Sequence, residues 1–474
     1  MSQKNETTVL VISLVVTLAL VAAGLWLFKY IPGKPDGTGN PNNLGVTTST
    51  ESRASNQPVS ERISAGEKLL IPSQATPEKQ AAVKAIAQGN YQAAVSNLEA
   101  ALKSDRNNPE GLIYLNNARI GNQKSYTIAV SVPIGSEVNA AQEILRGVAQ
   151  AQNEVNQAGG IGGVPLKVLI ANDDNNPAVA EQVAAALVKN LDILGVVGHF
   201  ASDTTLTAGK VYQSGQLVAI SPVSTSVQLS GFGSYIFRTV PSDRFAGNAL
   251  SRYMLTQLKR KKAAVFFNST STYSKPLKGE FTTALYGDGG QVVAEYDFAS
   301  PAFNAGDDVE KAIKEGAEVL MLAPNSATLD KALQVMAVNR KRLPLLAGDD
   351  AYTPQTLQIG GPMAVGMVLA VPWHILGDPN SSFPKAASQL WGGEVSWRTA
   401  LAYDAAKALI GGLQRNPSRT GIQQTLSASD FSATGSSGDI RFLPSGDRNR
   451  AVQLVTIQPG KRTSFGFEYV PVPK

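Results

Sequence analysis

The sequence contains no cysteine and only two histidines. The lack of cysteine excludes disulfide bonds, thiol catalysis, thiolate metal sites and a lipid attached to an N-terminal cysteine. His199 and His374 alone cannot build a histidine-rich metal centre. A Ser–His–Asp triad can be assembled from Ser202 and His199, but no Gly-x-Ser-x-Gly elbow accompanies it. The composition therefore favours a non-enzymatic protein without a cofactor or a metal.

An excess of charge of one sign is also missing. The net charge is +5 over 474 residues, and it is scattered. The short basic run Lys259–Lys262 leads directly into the apolar segment Ala263–Phe267, which is typical of a solvated helix end before a strand. The glycine-rich run Gly159–Gly163 follows a predicted helix and precedes a strand, the reverse of a dinucleotide-binding fingerprint. We therefore expect no nucleic-acid or nucleotide partner.

One long apolar run is present, from Val9 to Phe28. Its length suits one bilayer crossing, which needs about 20 residues. A cleaved signal peptide is the alternative, but its apolar core is typically about 7–15 residues long. The run also ends in the aromatic and basic segment Leu25–Tyr30, as membrane helices do at the interface. We predict an uncleaved anchor over residues 1–30, with the body of the protein in the periplasm or another extracytoplasmic space.

The next two segments differ in composition. Residues 31–75 are rich in Gly, Pro, Asn, Ser and Thr, which predicts a disordered linker. Residues 76–122 show helical periodicity in three stretches, Gln80–Gln88, Tyr91–Ser104 and one starting at Asn108. The pattern resembles a tetratricopeptide repeat, but a solenoid needs about three repeats. We therefore expect a short TPR-like helical spacer and not a peptide-binding groove.

From Tyr126 onward, strands and helices alternate in two series, which predicts an α/β fold with two lobes and parallel sheets. In open parallel sheets, ligands bind beyond the C-terminal ends of the strands, so a cleft between the lobes is the expected site. The predicted strands are Thr127–Val132, Pro165–Ala171, Ile193–Val197 and Leu217–Ile220 in the first series, and Ala263–Phe267, Gln291–Tyr296, Val319–Leu322 and Leu343–Ala347 in the second.

Motifs in a consistent order over residues 126–460 carry a family resemblance. They include Asn156–Leu166, Gly198–Thr204, Ile220–Thr225, Phe237–Thr239 and Ala433–Phe442. Their combination resembles the type I periplasmic binding proteins of the leucine/isoleucine/valine-binding kind, which feed ABC transporters. The resemblance implies two Rossmann-like lobes joined by three crossover segments. Lobe 1 would comprise residues 126–240 and 373–430, and lobe 2 residues 241–372 and 431–474.

The resemblance also implies ligand contacts on lobe 1. Ser202 lies where a helix begins, and its hydroxyl and the free N–H groups of that helix end would favour a ligand carboxylate. The alternative is that Ser202 only caps the helix. In the segment after Ile220, Val223 would contribute its backbone and Thr225 its hydroxyl, with Ser224 beside them; an ordinary strand-end turn is the alternative.

Four further candidates lie on or near lobe 2. By the resemblance, Asp349 would pair with a ligand ammonium, although Asp350 is adjacent and the assignment can be off by one. Tyr273 would wall the cleft, or lie in an exposed loop. Asn325 stands where relatives often carry an aromatic residue, which puts a branched aliphatic ligand in doubt. Arg398 would meet a ligand carboxylate, or form a salt bridge between the lobes.

These expectations define two hypotheses. The first is an extracytoplasmic receptor that captures an amino acid or related molecule by lobe closure and delivers it to an ABC permease. The second is a membrane-anchored ligand-sensing adaptor that acts on another membrane protein. Both predict binding without product formation.

Overall fold

The computed structural model describes residues 57–473. The membrane anchor predicted over residues 1–30 and the first part of the predicted linker lie outside the described residues. Among residues 57–473, no helix is both long enough and apolar enough to cross a bilayer.

A first six-stranded sheet has the strand order β1-β3-β2-β4-β5-β6. Its strands are β1 (Ile63–Ser64), β2 (Tyr126–Val132), β3 (Leu166–Asn172), β4 (Ile193–Val197), β5 (Ala219–Ser221) and β6 (Ile236–Arg238). Strands β2 to β6 are parallel, and β1 runs antiparallel to β3. The near-continuous burial of β2 is typical of a parallel strand that is covered on both faces.

A second, seven-stranded sheet has the order β15-β14-β11-β10-β9-β7-β8. Its strands are β7 (Lys262–Phe267), β8 (Gln291–Asp297), β9 (Val319–Ala323), β10 (Leu345–Ala347), β11 (Val368–Val371), β14 (Gln453–Pro459) and β15 (Phe467–Pro471). Strands β14 and β15 run antiparallel to their neighbours. Both sheets are therefore mixed, whereas the sequence predicted parallel sheets. The difference arises because strands that are not joined by a helical crossover are free to run in either direction.

Helices cover both sheets. They are α1 (Pro77–Ala87), α2 (Tyr91–Ser104), α3 (Pro109–Ile120), α4 (Val138–Gln157), α5 (Pro177–Lys189), α6 (Ser202–Ser214), α7 (Asp243–Thr256), α8 (Ser274–Gly287), α9 (Ala305–Lys314), α10 (Leu329–Asn339), α11 (Pro354–Ala364), α12 (Phe383–Trp391), α13 (Trp397–Arg415) and α14 (Arg419–Ser427). Each sheet has a buried apolar core on both faces. The described chain thus contains two α/β lobes, which we call the first and second lobe after their sheets.

Helix α13 returns to the first lobe and packs against α4. A glycine makes this packing possible, because a Cβ on Gly147 would lie 2.2 Å from the carbonyl oxygen of Thr399. The close contact also fixes the start of α13, where Arg398 is located. Chain segments therefore cross from β6 to the second lobe and from β11 back to the first. The exact lobe boundaries stay a prediction.

Residues 57–75 are integrated into the first lobe, so the predicted linker does not extend through them. Strand β1 pairs with the edge of β3, and the buried Arg62 forms an ion pair with Asp174. Sequence composition could not reveal this, because a two-residue strand depends on partners more than 100 positions away. The helical segment predicted over residues 76–122 is present as α1–α3, and its likeness to a tetratricopeptide repeat stays a prediction.

Two polar contacts bind the helical segment internally and to the sheet. Lys79 and Glu110 form a fully buried ion pair at 2.8 Å. The side-chain amide of Asn117 donates to the carbonyl oxygen of Val168 at 2.7 Å and accepts from its N–H at 3.1 Å. Asn117 therefore satisfies the exposed edge of β3 as a neighbouring strand would.

The hairpin of β12 (Ala433–Gly435) and β13 (Gly438–Ile440) lies with the first lobe. Phe431 and Ile440 are buried in the core of that lobe, and Phe442 packs against it. We therefore propose that the last crossing to the second lobe lies after residue 442, and not at residue 431 as drawn from the sequence.

Candidate functional site

The loop after β5 is held in place by one hydroxyl group. Ser221 Oγ donates to the carbonyl oxygen of His199 at 2.9 Å. It accepts from the N–H groups of Val223 at 3.3 Å and Ser224 at 3.0 Å. The backbone of Val223, predicted to contact the ligand, therefore has its N–H engaged within the loop.

Arg238 fixes the other end of this loop. The buried guanidinium donates to the carbonyl oxygens of Ser226 at 2.7 Å and Ser224 at 3.2 Å. Its Nε donates to Asp447 at 2.6 Å, which neutralises the charge. The Phe237–Thr239 motif thus has a structural role, because its arginine holds the loop that carries the candidate ligand contacts.

The two hydroxyl groups of this loop differ in availability. Ser224 Oγ lies 2.6 Å from Thr205 Oγ1 and donates to the carbonyl oxygen of Phe200 at 3.1 Å. Ser224 is therefore engaged within the first lobe. Thr225 Oγ1 is buried and has no hydrogen-bond partner within the first lobe, but it faces the carboxylate of Asp243. Unlike that of Ser224, its hydroxyl therefore lies at the boundary between the lobes.

The start of α6 lies beside this loop. Ser202 is the first residue of the helix and is 2% exposed, and its Oγ accepts from the N–H of Ser226 at 3.4 Å. The N-cap position belongs to Ala201, and no side chain caps the helix there. Capping is therefore not the role of Ser202. The uncapped helix end carries free N–H donors and partial positive charge, which suit a carboxylate.

On the second lobe, the turn after β10 carries two adjacent acids. Tyr273 Oη donates a 2.7 Å hydrogen bond to Asp349 Oδ1 and accepts from the N–H of Asp350 at 3.4 Å. Tyr273 and Asp349 are buried, so Tyr273 does not lie in an exposed loop. Burial raises the pKa of Asp349 above its usual range, because no cation neutralises it at hydrogen-bond distance.

Asp243 is a candidate that the sequence reasoning missed. It is the first residue of α7 and is 1% exposed, and its N–H donates to the carbonyl oxygen of Thr225 at 2.9 Å. Apart from the nearby Thr225 hydroxyl, its carboxylate oxygens have no hydrogen-bond partner among the described residues. Burial, followed by the nearby Asp349, raises its pKa well above the usual range. The pair Ser242–Asp243 reads in the sequence as an ordinary helix start, and Ser242 is indeed the N-cap. The sequence signal that could have indicated Asp243 was its position immediately after the first crossover from lobe 1 to lobe 2.

Arg398 forms a bridge between the lobes. From α13 of the first lobe, its Nη2 lies 3.6 Å from Asp350 Oδ1 of the second lobe, and its Nη1 donates to Glu143 Oε2 at 3.3 Å. The guanidinium also lies over the rings of Trp397 at 4.5 Å and Phe200 at 5.8 Å. Of the two roles that the sequence allowed, the structure contains the salt bridge.

Asn325 is engaged in a local turn. Its Oδ1 accepts from Thr328 Oγ1 at 2.7 Å and from Asn268 Nδ2 at 3.0 Å. The N–H of Asn325 also donates to Thr328 Oγ1 at 3.2 Å, and Asn325 and Thr328 thus form a capping box before α10. Asn325 therefore contributes polarity to this side of the cleft through a side-chain oxygen that is already hydrogen-bonded.

His199 belongs to the framework behind the loop. Its Nδ1 lies 2.7 Å from Asp173 Oδ2 and its Nε2 3.0 Å from the hydroxyl of Tyr212, and all three side chains are buried. Both ring nitrogens are thus engaged away from Ser202, which removes the geometric basis for a Ser–His–Asp triad. A separate groove of about 920 Å³, lined by Phe245 and Leu454 among others, contains none of the predicted site residues.

The site therefore combines two complementary halves. The first lobe presents a helix N-terminus with Ser202 and Thr225, and the second presents Tyr273, Asp349 and Asp243. Hydrogen-bond donors on one side and carboxylates on the other are typical of a two-lobed binding protein for a small solute.

Comparisons with known proteins agree with this class. A family model described as periplasmic binding protein matches residues 125–462. The chain is 36% identical over 144 residues to an amino acid binding protein of Pseudomonas aeruginosa, an alignment that covers 30% of the chain and 38% of that relative. It is 24% identical over 335 residues to the leucine-, isoleucine-, valine-, threonine-, and alanine-binding protein of the same organism, covering 68% of the chain and 86% of that relative.

A crystal structure of the leucine binding protein LivK from Thermotoga maritima superposes with a TM-score of 0.64 at 20% identity, covering 73% of this chain and 97% of that one. The chain belongs to the periplasmic binding protein family, and the resemblance to its type I members is confirmed. The chain spans less than two thirds of the length of the first relative named above. Residues 57–124 precede the region that the family model matches.

Proposed function

We propose that this chain is an extracytoplasmic receptor that captures an amino acid or a closely related zwitterion between its two lobes. The ligand carboxylate binds at the start of α6, near Ser202 and Thr225. Its ammonium binds between Asp349 and Asp243, with Tyr273 orienting Asp349. The juxtaposition of the buried Thr225 hydroxyl on one lobe with the buried carboxylates of Asp243 and Asp349 on the other supports this proposal, because a zwitterion has a partner for each of these groups.

Closure follows from the same geometry. Each lobe binds one charge of the ligand, so the ligand has a higher affinity for the closed arrangement than for either lobe alone. A ligand shifts a conformational equilibrium by that difference in affinity. We propose that the closed, loaded form is delivered to an ABC permease, as the family membership supports.

Thermal denaturation with a panel of amino acids, amides and small carboxylic acids tests the binding proposal. A true ligand at one hundred times its Kd raises the free energy of unfolding by about 2.7 kcal/mol. Decarboxylated and N-acetylated forms of any ligand found are the controls, because each lacks one of the two charges. If no α-amino compound raises the melting temperature, the proposal is refuted.

The alternative proposal is that residues 57–124, outside the matched region, contact another membrane protein in a ligand-sensing role. Deleting the gene distinguishes the two. Loss of amino acid uptake supports transport, whereas normal uptake with a lost cellular response supports the adaptor.

A further inference from the structure

The second lobe contains a groove that lies apart from the ligand cleft. It has a volume of about 920 Å³ and lies between α7 and the strands β14 and β15. One stripe of α7 lines it, which includes Phe245, Ala249, Arg252 and Tyr253 at three- and four-residue spacing, and the start of β14 and the end of β15 line the other side. Small-molecule sites typically have volumes of about 300–1,000 Å³, so the groove is large enough for a ligand.

The groove exists because helices cover the two faces of the second sheet to different extents. On one face, α11 packs against β14 and β15. On the other face, α7 packs against β11, and the sheet continues beyond β11 into β14 and β15. Tyr253, Leu454 and Val472 therefore stay only partly buried, although they pack against the apolar core on this face. An apolar group bound in the groove would remove this surface from water.

The charged side chains that line the groove are two arginines, Arg252 and Arg450. Within residues 57–473, neither of them forms an ion pair. Burial, followed by the nearby Arg448, lowers the pKa of Arg450. Of the two acids that oppose this effect, Asp404 is already paired with Arg448, and Asp378 does not line the groove. The groove therefore has positive charge that the described residues leave uncompensated.

One polar atom in the lining also lacks a partner. Gln453, the first residue of β14, lines the groove three residues after Arg450, and its Oε1 is buried without a hydrogen-bond partner in the described chain. The side chain lies against Gly377, where an added Cβ would be 2.1 Å from Oε1. A side-chain amide can present its oxygen or its NH2 group after rotation about its last bond. Because a buried polar atom without a partner is costly, Gln453 independently indicates that the groove has an occupant.

We propose that the groove is a second ligand site, which binds an organic anion with an apolar body. The apolar body covers Tyr253, Leu454 and Val472. The anionic group binds beside Arg450 and the Gln453 amide, since a guanidinium forms charge-assisted hydrogen bonds with an anion, and Arg252 adds a second cation farther along α7. This site is additional to the proposed amino acid cleft and does not depend on it.

Two pairs of probes with matched shapes test the site. Octanoate is compared with octanamide, and hydrocinnamate with hydrocinnamamide, by isothermal titration calorimetry on the whole chain. We expect at least one carboxylate to bind at least about tenfold more tightly than its neutral amide, which corresponds to about 1.4 kcal/mol. Arg450→Gln and Arg252→Gln should each reduce this ratio at least about threefold. The control Arg244→Gln removes an exposed cation from the same helix that does not line the groove, and it should leave the ratio unchanged.

Each outcome decides the inference. It is refuted if neither carboxylate binds, or if the amides bind as tightly as the carboxylates. A carboxylate whose affinity is the same in the wild type and in both groove variants binds elsewhere, for example in the cleft, and this result also overturns the site. Circular dichroism checks that the variants are folded. The amino acid panel is a separate measurement, so either proposal can fail while the other stands.

Discussion

Arg398 and Asp350 belong to different lobes, yet the guanidinium Nη2 lies 3.6 Å from the carboxylate Oδ1. Their side chains are 7% and 15% exposed, so solvent screens the pair only partly. Arg398 also balances Glu143 within its own lobe. The bridge therefore depends on how the two lobes are arranged, and its strength is open to measurement.

Replacing Arg398 by Gln should lower the free energy of unfolding by about 1–3 kcal/mol, because Asp350 and Glu143 lose their cation. Adding Asp350→Asn should recover part of this loss, with a coupling of more than about 0.5 kcal/mol in a double-mutant cycle. Urea denaturation measures both. The exposed pair Arg415 and Asp430 is the control, since Arg415→Gln should change stability by less than about 0.5 kcal/mol. Equal stability of Arg398→Gln and the wild type would contradict the assigned bridge.

Ser202→Ala and Asp349→Ala should weaken ligand binding without unfolding the ligand-free protein. Loss of the charge-assisted hydrogen bond at Asp349 should cost about 1.5–3 kcal/mol, or roughly 10- to 150-fold in Kd, and loss of the Ser202 hydroxyl about fivefold. Calorimetry measures the affinity and circular dichroism the fold. Ser214→Ala, at the exposed end of α6, and Asp288→Ala are the matched controls. An unchanged Kd in both site variants would remove the site assignment.

Asp243→Asn should change stability and affinity in opposite directions. The ligand-free protein should gain about 1 kcal/mol at pH 8, because a buried carboxyl group whose ionisation is disfavoured by burial and by Asp349 is replaced by a neutral group of the same shape. Ligand affinity should fall about tenfold, because the ammonium loses a carboxylate partner. Chemical denaturation and calorimetry on one preparation give both numbers. A variant that is less stable and binds with unchanged affinity would show that Asp243 has a purely structural role.

The acids of the cleft also predict a pH dependence. The folded protein raises the pKa of Asp350 to about 7, whereas the unfolded chain releases that proton near its ordinary value of 3.8. The folded state therefore binds more protons between these two values, and stability contributed by Asp350 falls as the pH rises through them. Asp349 and Asp243 have raised pKa values and act in the same direction.

The variant Asp350→Asn isolates this effect. Its stability relative to the wild type should increase by at least about 1 kcal/mol between pH 5 and pH 8. Buried His374, whose pKa is lowered to about 4, acts in the opposite direction below its ordinary value of 6.5, but it is present in both proteins and cancels in the difference. Denaturation at several pH values provides the measurement, and a difference that does not vary with pH would contradict the prediction.

Hydrophobic periodicity predicted the alternating elements of both lobes well. Strand β4 was predicted at its observed bounds, Ile193–Val197, and the buried strand β9 to within one residue. Local pattern suffices for such elements, because each buries a continuous apolar face. Strand β1 was missed, because its two residues are stabilised by pairing with β3 and by the ion pair of Arg62 with Asp174.

The site was harder to predict than the fold, because its contacts also join residues that are far apart in the sequence. The resemblance suggested Thr225, Tyr273 and Asp349 as ligand contacts, and these assignments stay predictions. Sequence alone could not separate Thr225, whose hydroxyl has no partner within the first lobe, from Ser224, whose hydroxyl bonds to α6. Nor could it show that Asp243 lies near Asp349, because that proximity depends on how a crossover segment places the start of α7.

The hydrogen bonds of Asn117 to the edge of β3 have a consequence for how motion in this molecule is observed. The helical segment α1–α3 is fixed to the first sheet by these bonds, so it moves with that sheet. If the second sheet rotates against the first, the distance from α1–α3 to the second lobe changes. A distance probe between α2 and α9 would register such a swing in full, whereas one between α2 and α5 would remain silent.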